Sequence, residues 1–199
     1  MTSCATSGAG TMRSGAICLL RKTDGSAVLE FAIALPLLVV FVVGIYDFSG
    51  AFNQKQKIEQ AAQEGAIVAA AQPTTDIATG NANPVSLQPV VYAVFKSLTD
   101  SGVLVAGSCN PPGTVSGPTS GLTWTYLISG CPDDLTITIN RGWVAAGTTG
   151  SPVAVGSIVT VSYPYHWRFN SVIQLLMPGS STYQATTTLT ESATVHNQM

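Results

Sequence analysis

Between residues 26 and 46 the chain reads SAVLEFAIALPLLVVFVVGIY, an apolar run interrupted by one carboxylate, Glu30. At a rise of about 1.5 Å per residue such a run crosses a hydrocarbon core about 30 Å thick. The continuation, DFSGAFNQKQKIEQAAQEGAIVAAAQ, loses the uniform hydrophobicity but keeps a helical repeat as far as Pro73. In it Phe52, Ile58, Ala61/Ala62, Gly65, Val68/Ala69 and Gln72 share one face, while Gln56, Gln60, Gln63 and Glu64 fall mostly elsewhere. The pattern predicts one long helix over residues 26–72, roughly 70 Å by helical rise. A stripe of mostly small residues on its second half lets another helix or a sheet come close. Pro36 removes one backbone hydrogen bond inside the apolar half and predicts a kink there. Pro36 is either a flexible point in the helix or a proline packed by neighbouring helices.

Beyond Pro73 the pattern changes twice. PTTDIATGNANP is a polar linker, and SLQPVVYAVFKSLTD then places Val90, Val91, Val94, Phe95 and Leu98 at helical spacing, with Pro89 suited to a first turn. Residues 107–121 are rich in Gly, Pro and Ser and read as loop. Period-two alternation follows in 135–140 (LTITIN), 153–165 (VAVGSIVTVSYPY, with a bulge or bend expected at Gly156) and 183–196 (YQATTTLTESATVH). Residues 124–128 can add another strand. Three or four antiparallel strands with Thr turned outward make a half-buried sheet. The fold class expected is α+β, a long N-terminal helix running from membrane to periplasm and packed on a small antiparallel sheet. Its divisions are a leader over 1–25, the helix over 26–72 and an α+β domain over 73–199.

Composition narrows the setting. Only 9% of the 199 residues are charged and 46% are hydrophobic, against about 25% charged in an ordinary soluble domain. Eight Lys and Arg, a net charge of −2 and no basic cluster larger than Arg21–Lys22 exclude a nucleic-acid surface. Arg13, Arg21 and Lys22 precede the apolar run and Asp47 follows it, so the positive-inside bias puts the N-terminus in the cytoplasm and everything after Asp47 outside. Four cysteines fall in two pairs on opposite sides of the run. Cys109 and Cys131 suit a disulfide in the oxidising compartment, two buried thiols being the alternative. Their spacing fits no zinc pattern.

Glu30 decides between readings of the apolar run. A carboxylate there costs a few kcal/mol on insertion scales unless it snorkels to the interface or has a partner. Gly25 stands five residues before it, Phe31 follows it, and basic residues precede Gly25. This arrangement resembles the type IV prepilin processing signal, in which a membrane peptidase cuts after the Gly. The wider stretch, GSAVLEFAIALPLLVVFVVGIYDF followed by QKIEQAAQEGAIVAAAQ, resembles the TadE-like minor pilins of tight-adherence (Tad, or Flp) systems. Gly25, Glu30–Phe31, the Leu35–Leu38 run around Pro36, Gly44, Asp47 and the Ala61 to Ala66 block carry the likeness. Ile67, where Arg is frequent, and Ser26, where many pilins begin with Phe or Met, depart from it. The resemblance implies cleavage between Gly25 and Ser26, leaving Glu30 fifth and Phe31 sixth in the mature chain. It also implies that Glu30 pairs with the free amino terminus of a neighbouring subunit. Two opposite charges in a low-dielectric site attract strongly, and such a pair sets axial register. The partners implied are a prepilin peptidase, other pilins with their assembly platform, and inner-membrane lipid.

No catalytic constellation stands out. His166 and His196 are the two histidines, and Asp133–Asp134 reads as a turn before a strand, without the further oxygen ligands of a calcium loop. Neither GxSxG, HExxH nor a P-loop occurs. Tyr163, Tyr165, Trp167 and Phe169, at period two, fit one face of a strand and its packing, an adhesive patch being the alternative. The expectation is therefore a minor pilin without enzymatic activity, cofactor, metal or small-molecule substrate. The rivals are an uncleaved single-span anchor carrying a periplasmic binding module and a secreted protein with a long signal.

Overall fold

The computed structural model describes residues 24–77, 81–119, 121–144, 155–168 and 186–197. Nearly all of the predicted leader, Cys4, Cys18, Phe169 and the first residues of two predicted strands (153–154 and 183–185) lie outside them. The chain divides into two compact units, Met1–Val39 and Val40–Met199. The described part of the first is the start of helix α1 (Asp24–Ala71), which contains Pro36. The second holds the rest of α1, a 3₁₀ turn (Val85–Leu87), α2 (Gln88–Asp100) and strands β1 (Thr114–Ser116), β2 (Thr123–Cys131), β3 (Asp133–Val144), β4 (Val155–His166) and β5 (Thr186–His196). The architecture is α+β.

The second half of α1 buries Ala51, Ile58, Ala61, Ala62, Ala66, Ala69 and Ala70. Spacings of three, four and seven residues keep these on one face. At Gly65 a Cβ would come within 2.5 Å of Val94 on α2 and 3.2 Å of Val159 on β4. The absence of a side chain there sets how closely α1 meets both. Phe52 departs from the predicted stripe: it is 63% exposed, and its neighbour Ala51 takes the buried position. The helix ends just before Pro73, as a residue without a backbone donor requires. Arg141 of β3, itself buried, reaches this end and donates from Nη2 to the Gln72 carbonyl at 2.9 Å. A guanidinium there complements the negative end of the helix dipole. Helix α2 starts as predicted, with Pro in its first turn. It buries Val90, Val91, Val94 and Leu98, each fully buried side chain being worth about 1.5–3 kcal/mol.

The sheet is an antiparallel meander in chain order, β1-β2-β3-β4-β5. Its five strands exceed the three or four predicted. The extra one, β1, lies in the segment read as loop, where three residues beside β2 are too few for alternation to show. One face carries Trp124, Tyr126, Ile128, Leu135, Ile137, Ile139, Val159, Val161 and Tyr163, all buried. The other carries Thr125, Thr138 and Thr160 in one cross-strand row with Ser192, so Thr turns outward as the alternation requires.

The bulge falls opposite the predicted place. Asn140 and Trp143 on β3 face Ile158 and Gly156 on β4, putting the extra residue on β3. Gly156 continues the β4 ladder on both sides. A Cβ on it would come within 2.7 Å of the Trp143 ring and 2.9 Å of the Val195 carbonyl. The glycine makes room for an indole rather than bending its own strand. Cys109, in the loop before β1, is joined to Cys131 at the end of β2, with Cα atoms 4.9 Å apart. The bridge spans 22 positions, and closing a loop of that length stabilises by roughly 3 kcal/mol in the chain-entropy account.

Candidate membrane and assembly helix

The first half of α1 turns large apolar side chains outward. Val28, Leu29, Phe31, Ile33, Leu37, Leu38, Phe41, Val42 and Ile45 are each more than half exposed, and the most apolar stretch of the helix has none of its residues buried. An unbroken surface of this kind does not suit water, since large exposed apolar patches on soluble chains mark an interaction surface. It suits hydrocarbon, where a helix satisfies its own backbone hydrogen bonds. By length and composition this one helix fits a single membrane span.

The predicted residues fall along it as follows. Gly25 and Ser26 lie in the first turn of α1, Glu30 and Phe31 on its exposed surface, and Pro36 within the helix. Cys109 and Cys131 belong to the second unit.

The end of the apolar run is anchored to the sheet by contacts that sequence reasoning did not pair. Asp47, the first charged residue after Glu30, is 2% exposed. The Tyr165 hydroxyl lies 3.1 Å from both the Asp47 carbonyl and its Oδ1, where it donates. Burial first, then the hydrogen bond and charge of Asp47, push the Tyr165 phenol above its ordinary value. Trp167 packs edge-on against Phe48 and against Tyr165, ring centroids 5.1 Å apart in each case, and its indole N–H donates to Thr187 at 2.8 Å. Farther up, Gln54 donates to the Pro164 carbonyl at 3.4 Å and Lys55 pairs with Glu191 at 3.1 Å. Aromatic alternation along 163–167 was the only signal of this seam. It identified a packed strand face but not the helix as its counterpart.

Both aspartates of the predicted turn belong to β3, which starts directly after Pro132. Asp133 Oδ2 lies 2.7 Å from His166 Nε2. Tyr163 donates to the Cys131 carbonyl, and burial, then the Asp133 charge, raise its phenol. Burial, with the Asp76 charge behind it, pushes Tyr126 up to about 12. Among the described residues no three His, Cys, Asp or Glu side chains converge to hold a metal.

Residues 25–66 match the family model described as TadE-like protein. The N-terminal segment is TadE-like. Its match begins at the predicted processing glycine and ends at Ala66, so the TadE-like segment takes in the exposed apolar half of α1, the junction at Asp47 and most of the small-residue stripe. The sheet and α2 lie outside it. No curated protein and no solved structure matches the chain.

Proposed function

We propose that this protein is a minor pilin, or pseudopilin, that takes part in assembling a tight-adherence pilus. In this reading the chain inserts once in the bacterial inner membrane, N-terminus inward, with unit Val40–Met199 emerging in the periplasm beyond Tyr46. A prepilin peptidase cuts between Gly25 and Ser26. The new ammonium at Ser26 of one subunit then pairs with Glu30 of another, fixing axial register within the packed helices, and Phe31 lies in the same contact. Its work is helix-to-helix association with other pilins and the assembly platform rather than catalysis, and it needs no cofactor. Pro36 lets the helix bend between its membrane and assembled states. The Cys109–Cys131 bridge holds the periplasmic fold in the oxidising compartment.

The observation that carries this reading is the family match starting at Gly25 over a helix whose apolar half lies open from Val28 onward with Glu30 in its second turn. Intact mass and N-terminal sequencing of the membrane-extracted protein, with and without its cognate prepilin peptidase, test it. A chain starting at Ser26 only with the peptidase is the expected result. An unprocessed chain in both cases leaves a single-span anchor and removes the role given to Glu30.

A further inference from the structure

A groove of about 720 Å³ opens beside the junction where α1 leaves its apolar run. Tyr46 and Lys57 of α1 line it, together with Tyr165 and His166 at the end of β4 and Trp167 and Arg168 just past it. Tyr46 is the last residue of the apolar run and is 67% exposed. Phe48 stands two residues on, about 3 Å along the axis, and carries the Trp167 ring against it. Between a hydrocarbon core of about 30 Å and a full bilayer of about 40–45 Å, each polar layer is roughly 5–7 Å deep. Trp167, and Arg168 next to it, therefore stand at headgroup level when residues up to Tyr46 lie in lipid. Trp and Tyr favour that level because an apolar ring and a polar edge are both satisfied there.

The charges are unequal. Arg168 is exposed and Lys57 half-buried, and among the described residues neither makes an ion pair. One carboxylate lines the groove, Asp133, and His166 engages it at 2.7 Å. Lys57 lies eleven residues beyond Tyr46, about 16 Å along the axis, so even with its side chain leaning toward the N-terminus its ammonium stands above the headgroup layer and acts on it through its charge. A guanidinium beside an aromatic rim, able to grip a phosphate in bidentate fashion, with a second cation farther up, fits a phosphate held at the membrane surface.

We propose that this groove is a headgroup site for an anionic phospholipid in the leaflet through which α1 emerges, with Arg168 holding the phosphate, Lys57 adding positive charge from above, and Tyr46 and Trp167 flanking the glycerol. The site rests on the single-span reading of α1. It couples the lipid beneath to the β4 end and so fixes the height of the periplasmic unit above the membrane.

The test uses the full chain reconstituted in nanodiscs of phosphatidylcholine alone or with phosphatidylglycerol, carrying headgroup spin labels that quench tryptophan over short distances. The Trp167→Phe variant supplies the background from Trp124 and Trp143. Expected is Trp167 quenching that strengthens with phosphatidylglycerol, needs about fivefold more of it after Arg168→Gln, and loses the dependence after Arg168→Gln with Lys57→Gln. Glycerol phosphate in solution competes only weakly if the membrane is the source. Equal quenching in both lipid mixtures overturns the site and leaves only an aromatic rim, and full competition by glycerol phosphate assigns the groove to a soluble anion instead. Absent Trp167 quenching, with the protein still floating with vesicles, overturns the site while the membrane reading stands. Failure to float overturns the membrane reading and the site with it.

Discussion

The two halves of α1 belong to one helix and obey opposite rules. Before Asp47 the side chains are large and outward: Leu37, Leu38, Phe41 and Val42 are each more than half exposed. After it the apolar side chains on the packed face are covered and, Ile58 apart, mostly small, Ala61, Ala62, Ala66 and Ala69 being fully buried. Hydrophobicity alone does not separate the halves, since both are rich in apolar residues. Size does. A large side chain gains most from an apolar solvent all round it, whereas a methyl group gains most by letting another backbone approach. The glycines repeat the contrast. Gly44 has nothing within 4 Å of where a Cβ would stand, while Gly65 is hemmed by Val94 and Val159. The first half is shaped for lipid, the second for its own sheet.

The largest expected effect breaks the first half. Replacing Leu35 and Leu38 together by Asp adds about 5–7 kcal/mol to membrane insertion and moves the protein from the membrane to the soluble fraction. Thermal unfolding of the sheet core stays where it was, because neither residue touches that core. A protein that still fractionates with membranes after this change argues that the sheet, not α1, holds it there.

A matched pair sharpens the contrast at smaller amplitude. Gly65→Val forces Val94 and Val159 apart and costs about 1–3 kcal/mol through overpacking, read as a lowered Tm in detergent. Gly44→Ala meets no atom and stabilises the helix by up to about 1 kcal/mol through propensity. Equal Tm shifts of one sign at both positions contradict the division of the helix into two surfaces.

The smallest effect lies at the junction between them. Tyr165→Phe removes the hydroxyl shared between the Asp47 carbonyl and carboxylate, at a cost of about 1 kcal/mol. Hydrogen exchange at residues just past Asp47 is the sensitive readout, since local opening there precedes global unfolding. Unchanged exchange shows that the Phe48–Trp167 contact alone fastens the seam.

Much of this architecture was legible because periodicity is a local property. The apolar run, the stop at Pro73, the α2 stripe around Val94 and the Thr alternation of β3 to β5 each follow from side-chain spacing on one element. So does the oddity of Glu30, a single carboxylate in an apolar run. Misreadings arose where a second element sets the outcome. Strand β1 exists because β2 offers it a ladder, and Ala51 rather than Phe52 faces inward because of how α1 rolls on the sheet.

The sequence by itself determined the period and size of the side chains on each element: an apolar helix long enough for a bilayer, a small-residue continuation, and strands with one wet face. It also determined the Gly25 to Phe31 signature, which is contiguous. The tertiary structure alone decided that Asp47 meets Tyr165 across 118 positions, that Arg141 closes the end of α1, and that Arg168 and Lys57 share one groove. Residues so far apart leave no common period in the chain, and their contacts depend on the register and roll of whole elements, fixed only when helix and sheet pack together.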